Sequence, residues 1–306
     1  MNSAASEPAL IGIDWGTSSL RAFLIGAGGE VLRSTSSQEG IMQVADRDFD
    51  AVFDRLAGSI AAEPGLPILA SGMITSRNGW IETPYVALPT GPRKLAQSLL
   101  PHQTKSGALI HFVTGATTEH AGGPDVMRGE ETQIIGLTAT SLTDGLLVMP
   151  GTHSKWVRVS NGRIHDFETY MTGDVFAALK DHTILGTLME PGEFDVDAFK
   201  TGVSRAQDDN ANLLHDLFHV RTLPLMGKIN GVETEDYLSG LLIGTEITAA
   251  CRENEFVEEV TIVGRLDLAQ RYEIALQMAG ITCRQAPDDI AAKGHFLIAQ
   301  AAELIE

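Results

Sequence analysis

The chain has 306 residues, of which 43% are hydrophobic and 20% are charged, as is typical of a folded globular protein. The formal net charge of −18, with no basic stripe in the sequence, argues against a nucleic-acid partner. No apolar run reaches membrane-spanning length, and residues 1–9 lack the basic and apolar regions of a signal peptide. Cys251 and Cys283 have no metal-ligand spacing. We therefore expect a cytoplasmic protein without a membrane partner.

The first predicted element is a β-hairpin near the N-terminus. An apolar strand that carries Asp14 is interrupted by Gly16, Thr17 and Ser18 and continues over 20–25. A tip of glycine and small hydroxyl residues leaves backbone N–H groups accessible, which suits a phosphate. The carboxylate of Asp14 suits a divalent cation, because such cations prefer oxygen ligands. The alternative is an ordinary hairpin with a buried aspartate.

A buried strand is predicted within 67–74, followed by a polar loop over 75–79. Ligands of α/β proteins commonly bind at loops that follow strands. Arg77 and Asn78 are therefore candidate ligand contacts, and the alternative is a solvated loop of the same composition. Further along the chain, the polar residues 115–123 are predicted to form a loop.

The stretch Met-Arg-Gly-Glu-Glu-Thr-Gln at 127–133 predicts a helix that begins near Glu130, because apolar residues follow at helical spacing. Acidic residues in a first turn are often simple complements of the helix dipole. An arginine close to two glutamates also forms a site for both a carboxylate and a hydroxyl group. Arg128 is the candidate for the carboxylate, and Glu130 or Glu131 is the candidate for the hydroxyl.

A second hairpin over 146–159 repeats the pattern of the first, and such internal repeats indicate a duplicated unit. Its tip contains Gly151, Thr152 and His153, which we expect to contact phosphate. His153 is a candidate donor to phosphate or substrate. Lys155 either neutralises a phosphate or is an exposed strand residue.

The second half continues with a predicted helix start at Thr172, which is a candidate lip residue of the substrate site. A long helix with small residues is predicted over 234–252. A strand that ends at Gly264 is followed by a helix over 268–279. The order of elements predicts an α/β protein.

Four stretches, in this order, resemble the 2-dehydro-3-deoxygalactonokinase family: Ile-Asp-Trp-Gly-Thr-Ser at 13–18, Met-Arg-Gly-Glu-Glu-Thr-Gln at 127–133, Met-Pro-Gly-Thr-His-Ser-Lys-Trp-Val at 149–157 and Leu-Ser-Gly-Leu-Leu-Ile-Gly at 238–244. The two hairpins resemble the phosphate motifs of the actin, sugar-kinase and heat-shock-chaperone superfamily. The resemblance implies two similar actin-like (ribonuclease H-like) α/β domains, 1–140 and 141–306, with a nucleotide cleft between them.

The resemblance also implies an activity. It is the transfer of the γ-phosphoryl group of ATP, with Mg²⁺, to O6 of 2-dehydro-3-deoxy-D-galactonate in galactonate catabolism. In the superfamily's sugar kinases, an acidic residue between the two hairpins accepts the proton of the acceptor hydroxyl. Glu130 lies closer to that position than Glu131. Arg128, with Arg77, would bind the carboxylate of the sugar acid. Ser76 and Trp80 lie where the family keeps them, which makes Ser76 a candidate substrate contact, and Gly264 would belong to the adenosine motif.

Two other classes of function remain open at this stage. One is a kinase for another sugar or keto-deoxy acid, because only the two arginines favour an acidic acceptor. The other is a nucleotide-gated ATPase switch, which is less favoured because the sequence has no long peptide-binding appendage or polymer-forming insertion. The sequence does not decide the oligomeric state, and a homodimer is one option.

Overall fold

The computed structural model describes residues 7–60, 65–139, 142–253 and 258–306. The described part is an α/β structure with three sheets. Its strands are β1 Pro8–Trp15, β2 Leu20–Gly26, β3 Val31–Ser37, β4 Ile68–Ser71, β5 Tyr85–Ala87, β6 Leu100–Gln103, β7 Leu109–Phe112, β8 Gly115–His120, β9 Gly123–Met127, β10 Gly145–Met149, β11 Ser154–Ser160, β12 Arg163–Tyr170, β13 Glu259–Ile262 and β14 Thr282–Gln285.

The α-helices complete the list of main elements. They are α1 Phe49–Ile60, α2 Pro92–Gln97, α3 Glu130–Thr138, α4 Thr172–His182, α5 Val196–Ala206, α6 Leu213–Leu225, α7 Gly231–Glu253, α8 Leu266–Met278 and α9 Ile290–Ala301. Among the helices of the described ranges, none has both the length and the apolar character needed to cross a membrane. The two predicted hairpins and the predicted helix starts at Glu130 and Thr172 are confirmed.

The chain forms two compact units. Unit 1 comprises the described residues of Met1–Asp144, Arg158–Phe167 and Pro287–Glu306, and unit 2 comprises those of Gly145–Val157 and Glu168–Ala286. This division differs from the predicted one, which places 158–167 and 287–306 with the second half. The helix α9 belongs to unit 1 because it packs on α3 and β1. Residues 140–141, at the predicted boundary, lie outside the described part, and the two predicted domains remain a prediction.

Unit 1 is built on a six-stranded sheet of order β3-β2-β1-β4-β7-β6. The strands β1, β4 and β7 are parallel, and β2 is antiparallel to β1. The core on this sheet includes Trp15, Phe53 and Phe112, each buried. The helices α3 and α9 approach closely at Gly136 and Gly294, since a Cβ at either position would collide with the backbone of the other helix.

Residues 115–123 are not a loop, so that prediction is wrong. They form β8 and the start of β9, which pair in an antiparallel hairpin within a small sheet of order β5-β8-β9. The hairpin was missed because Thr117, Thr118 and Glu119 are polar and give no alternation of apolar residues. The hairpin positions the start of α3, because β9 ends at Met127, three residues before the first residue of that helix.

Unit 2 takes β10, β13, β14 and the first residues of β11 from the sheet of order β12-β11-β10-β13-β14, together with the long helix α7. The strands β10, β13 and β14 are parallel. Gly202 of α5 and Gly240 of α7 lie at a close helix contact, because a Cβ at either would meet the backbone of the other helix. This contact holds α7 close to α5, and α7 also carries groups of the candidate site.

Candidate active site

The tip of the first hairpin is a short turn, because the pairing of β1 with β2 ends at Trp15 and Leu20. Thr17 and Ser18 are exposed at this tip. The turn is closed by the N–H of Gly16, which donates to the carbonyl of Ser19 at 2.9 Å. The tip therefore presents small polar groups to solvent, as a phosphate-binding turn requires.

Asp14 lies next to this tip and is paired with Arg21 on the adjacent strand. The Arg21 Nη2 atom is 2.6 Å from Oδ2 of Asp14, whose side chain is 12% exposed. Within the described residues, the other carboxylate oxygen, Oδ1, accepts no hydrogen bond. A single partly exposed carboxylate oxygen fits Mg²⁺, which commonly takes one or two carboxylates and keeps several waters.

Glu130 and Glu131 occupy the first turn of α3 but have different surroundings. Glu130 is half-buried, and its Oε2 accepts the backbone N–H of Arg128 at 2.8 Å. Glu131 is fully buried and accepts the N–H of Gly129 at 2.7 Å and the hydroxyl of Thr132 at 3.1 Å. Burial, reinforced by the neighbouring charge of Glu130, raises the pKa of Glu131 to about 8.

This arrangement corrects the prediction that either glutamate is a candidate base. Glu131 has no exposed surface and therefore cannot contact a substrate hydroxyl. Its hydrogen bond to the N–H of Gly129 instead fixes the turn that precedes α3. Glu130 is the glutamate of this pair that solvent and a ligand can reach.

The guanidinium of Arg128 is held by unit 1 itself. Nη1 donates to the carbonyl of Thr75 at 2.5 Å and to the hydroxyl of Thr83 at 2.6 Å, and Nη2 donates to the carbonyl of Thr83 at 2.9 Å. The group also lies over the ring of Tyr85, 4.2 Å from its centroid. The guanidinium that was predicted to bind a substrate carboxylate therefore already donates to Thr75 and Thr83. Arg128 thus joins the 75–83 loop to the start of α3.

Arg77 is the exposed arginine of that loop. Within the described residues, the structure gives its side chain no ion pair or hydrogen bond. The loop around it is fixed from outside, because Arg47 donates to the carbonyls of Asn78 at 3.0 Å and Gly79 at 2.7 Å. Ser76 donates its hydroxyl to the carbonyl of Met73 at 2.7 Å. Arg77 is thus the available cation on an ordered loop, and Arg47 is a supporting residue that sequence reasoning missed.

His295 of α9 was also missed. It is fully buried, and its Nε2 lies 2.9 Å from the hydroxyl of Ser71 at the end of β4. The Nδ1 atom has no hydrogen-bond partner among the described residues, and a Cβ at Gly12 would lie 2.7 Å from it. Burial lowers the pKa of His295 to about 4, although the charge of Asp14 acts in the opposite direction. The imidazole is therefore neutral at pH 7.

The second hairpin has its tip at 150–153, between β10 and β11. Thr152 and His153 are exposed, and His153 Nε2 lies 3.8 Å from Oδ2 of Asp174. The backbone N–H of Asp174 donates to the carbonyl of Thr152 at 3.0 Å. A Cβ at Gly173 would collide with the carbonyl oxygen of Gly151. The tip therefore packs directly against the first turn of α4.

Lys155 is not the exposed strand residue of one of its two predictions. Its side chain is 5% exposed, and Nζ donates to the hydroxyl of Thr169 at 2.8 Å. Lys155 is the second residue of β11, and its ammonium group is buried against Thr169 of β12. The prediction of an exposed strand residue is therefore wrong, and a phosphate contact by Lys155 stays a prediction.

A cavity of about 290 Å³ opens beside the second hairpin within unit 2. It is lined by Gly151, Thr172, Gly173, Phe176, Glu235, Ser239, Leu242, Ile243, Arg265, Asp267, Leu268, Arg271 and Tyr272. Gly264 is not in the lining but comes directly before Arg265, and a Cβ there would only touch Pro150 at 3.6 Å. The mixture of an aromatic ring, apolar side chains and charged groups suits a nucleoside.

Glu246 of α7 lies beneath this cavity and was not singled out from the sequence. Its side chain is 3% exposed and accepts four hydrogen bonds. The donors are the hydroxyl of Ser154 at 2.7 Å, Nε1 of Trp156 at 2.8 Å, the hydroxyl of Tyr272 at 2.7 Å and the hydroxyl of Thr172. Thr172, predicted to touch substrate, thus directs its hydroxyl hydrogen to Glu246.

Comparison with known families identifies the chain. A family model described as 2-keto-3-deoxy-galactonokinase matches residues 14–298. The chain belongs to this family. The resemblance predicted from the four motifs is therefore confirmed.

Two curated relatives of the family match nearly the whole chain. A protein of Rhizobium meliloti (strain 1021) named as a 2-dehydro-3-deoxygalactonokinase is 36% identical over 287 residues, covering 92% of this chain and 93% of the relative. The 2-dehydro-3-deoxygalactonokinase of Escherichia coli (strain K12) is 34% identical over 281 residues, covering 92% and 94%.

Solved structures agree with the family and with the fold. A crystal structure from Sinorhizobium meliloti, described as a 2-dehydro-3-deoxygalactonokinase, matches with a TM-score of 0.86 at 34% identity, covering 96% of this chain and 98% of that one. An activator of 2-hydroxyisocaproyl-CoA dehydratase from Clostridium difficile, solved with ADPNP, matches with a TM-score of 0.53 at 12% identity, covering 96% of each chain. The latter similarity concerns the fold alone. The predicted actin-like α/β fold class is confirmed.

Proposed function

We propose that the protein is an ATP-dependent kinase that phosphorylates 2-dehydro-3-deoxygalactonate at its O6 hydroxyl. The observation that carries this proposal is the similarity to two curated relatives of that name over 92% of the chain. Galactonokinase-family membership implies the use of ATP as the phosphoryl donor. The two units each contain groups that suit one part of this reaction.

Unit 2 would hold the nucleotide. The cavity of about 290 Å³ would take the adenosine, with Phe176 and the apolar side chains against the base. The backbone N–H groups at the second hairpin tip, Gly151 to His153, and the first turn of α4 would contact the phosphates. These contacts stabilise charge on the phosphates mainly by position and electrostatics.

Unit 1 would hold the acceptor. Glu130 would accept the proton of the O6 hydroxyl, a role that is typically worth about 10²–10⁴-fold in rate. Arg77 would bind the carboxylate of the sugar acid, because its guanidinium is exposed and forms no ion pair within the described residues. A local cation is needed here, since the net charge of −18 otherwise repels an anionic substrate. Ser76, next to Arg77, would contribute a hydroxyl acceptor.

The first hairpin would contribute to phosphate binding through Gly16, Thr17 and Ser18. Asp14 would hold Mg²⁺ through its Oδ1 atom, while Oδ2 remains with Arg21. When bound, Mg²⁺ neutralises part of the phosphate charge and favours phosphoryl transfer. The role of the protein is to fix the carboxylate and the hairpin beside it.

The experiment that tests this function is release of ADP by the purified protein with ATP and Mg²⁺. The acceptors are 2-dehydro-3-deoxygalactonate, its C4 epimer, galactonate and neutral or amino sugars. A Glu130→Gln protein purified in parallel controls for contaminating kinases. Turnover confined to 2-dehydro-3-deoxygalactonate would support the proposal. Turnover on neutral or amino sugars would refute the acid-binding role of Arg77, and ADP release independent of any acceptor would favour an ATPase switch.

A further inference from the structure

The four hydrogen bonds to Glu246 connect separate elements of unit 2. Ser154 and Trp156 belong to β11, directly after the hairpin tip, while Thr172 is the first residue of α4. Tyr272 belongs to α8. One buried carboxylate on α7 therefore joins the hairpin, the start of α4 and the helix that follows the Gly264 strand.

The donors match the acceptor capacity of a carboxylate. Oε1 accepts from Ser154 and Trp156, and Oε2 accepts from Thr172 and Tyr272. Two hydrogen bonds to each oxygen satisfy the carboxylate with neutral donors. Burial raises the pKa of Glu246, and the four hydrogen bonds lower it in part. A buried network that is fully satisfied specifies one arrangement of its members.

Glu246 lies on the face of α7 that forms the cavity wall. Ser239, Leu242 and Ile243 line the cavity and lie seven, four and three residues before Glu246, which places all of them on one side of the helix. Thr172 and Tyr272 are both cavity-lining residues and Glu246 partners. The carboxylate thus supports the cavity from beneath without being one of its lining groups.

We propose that Glu246 is a positioning residue for the nucleotide, an inference that rests on the proposed kinase function of this site. It holds the hairpin tip and the first turn of α4 in the arrangement that receives the phosphates. The hairpin tip and the first turn of α4 also contact each other directly. The N–H of Asp174 donates to the carbonyl of Thr152, and Gly173 packs on Gly151 without room for a side chain. Loss of the hydrogen bonds to Glu246 would displace the backbone N–H groups that contact the phosphates, although the groups themselves would remain.

The sharpest variant is Ser154→Ala, which removes one donor to Glu246 from a buried residue that is outside the cavity lining. Glu246→Leu removes the whole network, and Glu246→Gln keeps the shape and can exchange donor and acceptor roles with the hydroxyls of Thr172 and Tyr272. The control is Asp216→Asn, which alters another fully buried carboxylate of unit 2, paired with Arg205 at 2.7 Å and not part of the cavity lining.

Binding of Mg²⁺–ADP is measured by calorimetry without acceptor, and KM for ATP, KM for the sugar acid and kcat are measured separately. We expect Ser154→Ala and Glu246→Leu to weaken the binding of Mg²⁺–ADP and to raise KM for ATP. The loss of one well-formed hydrogen bond should change either quantity about tenfold. The KM for the sugar acid should stay unchanged, and Glu246→Gln should recover most of the affinity. Asp216→Asn should lower the melting temperature and leave nucleotide affinity unchanged.

Wild-type affinity for Mg²⁺–ADP in Ser154→Ala, together with a wild-type KM for ATP, would overturn the proposal. An equal loss of nucleotide affinity in Asp216→Asn would also overturn it, because the effect would then follow general stability. Failure of the kinase function is distinguishable, since the wild type would bind Mg²⁺–ADP but release no ADP with any sugar acid. If Glu246→Leu does not fold, Ser154→Ala decides the question.

Discussion

Glu130 and Glu131 are adjacent in the first turn of α3, yet Glu130 is half-buried while Glu131 has no exposed surface. Successive residues of a helix point about 100° apart, so one carboxylate faces outward and the other enters the core. Each carboxylate accepts a backbone N–H from the turn before the helix, Glu130 from Arg128 and Glu131 from Gly129. The pair therefore combines one accessible base with one buried acid.

Substitution of Glu130 should affect the rate of phosphoryl transfer, whereas substitution of Glu131 should affect mainly stability. We predict that Glu130→Gln lowers kcat by about 10²–10⁴-fold, because an amide cannot accept the hydroxyl proton. The affinity for ATP should be unchanged. Glu131→Gln should keep kcat within a few fold. ADP release and calorimetric nucleotide binding measure both effects, and an inactive Glu131→Gln beside an active Glu130→Gln would reverse the assignment.

Glu131 should also make stability depend on pH. Its pKa is raised from 4.5 to about 8 in the folded state, so ionisation opposes folding as pH rises through that window. The stability present below pH 4.5 should be lost at up to about 1.4 kcal/mol per pH unit until pH 8. Relative to wild type, Glu131→Gln should gain stability between pH 5 and pH 8 in urea unfolding. Glu193→Gln, at an exposed glutamate, is the control, and an equal slope in both variants would contradict the prediction.

The local sequence was sufficient for the two hairpins and for the helix starts at Glu130 and Thr172. A Gly-Thr-Ser turn or a helix start depends on neighbouring residues, which a sequence displays directly. The same sequence did not reveal the state of Lys155, because its partner Thr169 lies on the next strand. The sequence indicated an exposed or phosphate-binding lysine, and in the folded protein the ammonium group is buried against Thr169.

Long-range partners explain the other differences. The guanidinium of Arg128 is bound by Thr75 and Thr83, which lie 53 and 45 residues away in the chain. The hydroxyl of Ser154 reaches Glu246 across 92 residues. Partners so far apart in the chain form no local sequence pattern from which these hydrogen bonds could be predicted. The resemblance to the family supplied candidate positions, but which groups remain free for a ligand required the folded structure.

Arg77 and Arg128 should respond differently to substitution. We predict that Arg77→Ala raises KM for the sugar acid at least tenfold with little change in stability, because the side chain is exposed. Arg128→Ala should destabilise the protein by about 2 kcal/mol or more, because it leaves buried groups of Thr75 and Thr83 without their donor. Substrate kinetics and urea unfolding are measured for both variants. A stable Arg128→Ala with a selective rise in KM for the acid would restore Arg128 as the carboxylate ligand.

Asp14 should govern the dependence on magnesium. Asp14→Asn keeps the size of the side chain but removes the charge that attracts a cation and that pairs with Arg21. We predict that a magnesium titration of ADP release shifts to at least tenfold higher concentration. Arg21→Gln, which removes the partner and keeps the carboxylate, is the matched control and should not raise the magnesium requirement. An unchanged titration in Asp14→Asn would exclude Asp14 as the metal ligand.

His295 should make the protein sensitive to acid. Its pKa is about 4 in the folded state against 6.5 for an unperturbed imidazole, so the neutral ring favours folding above pH 6.5. That stability should be lost as pH falls towards 4, because the unfolded chain binds the proton more readily. Between pH 7 and pH 5 the loss amounts to roughly 2 kcal/mol. His295→Asn should therefore become more stable relative to wild type over this interval in urea unfolding. His165→Asn, at an exposed histidine, is the control, and a difference for His295→Asn that does not change with pH would refute the buried neutral imidazole.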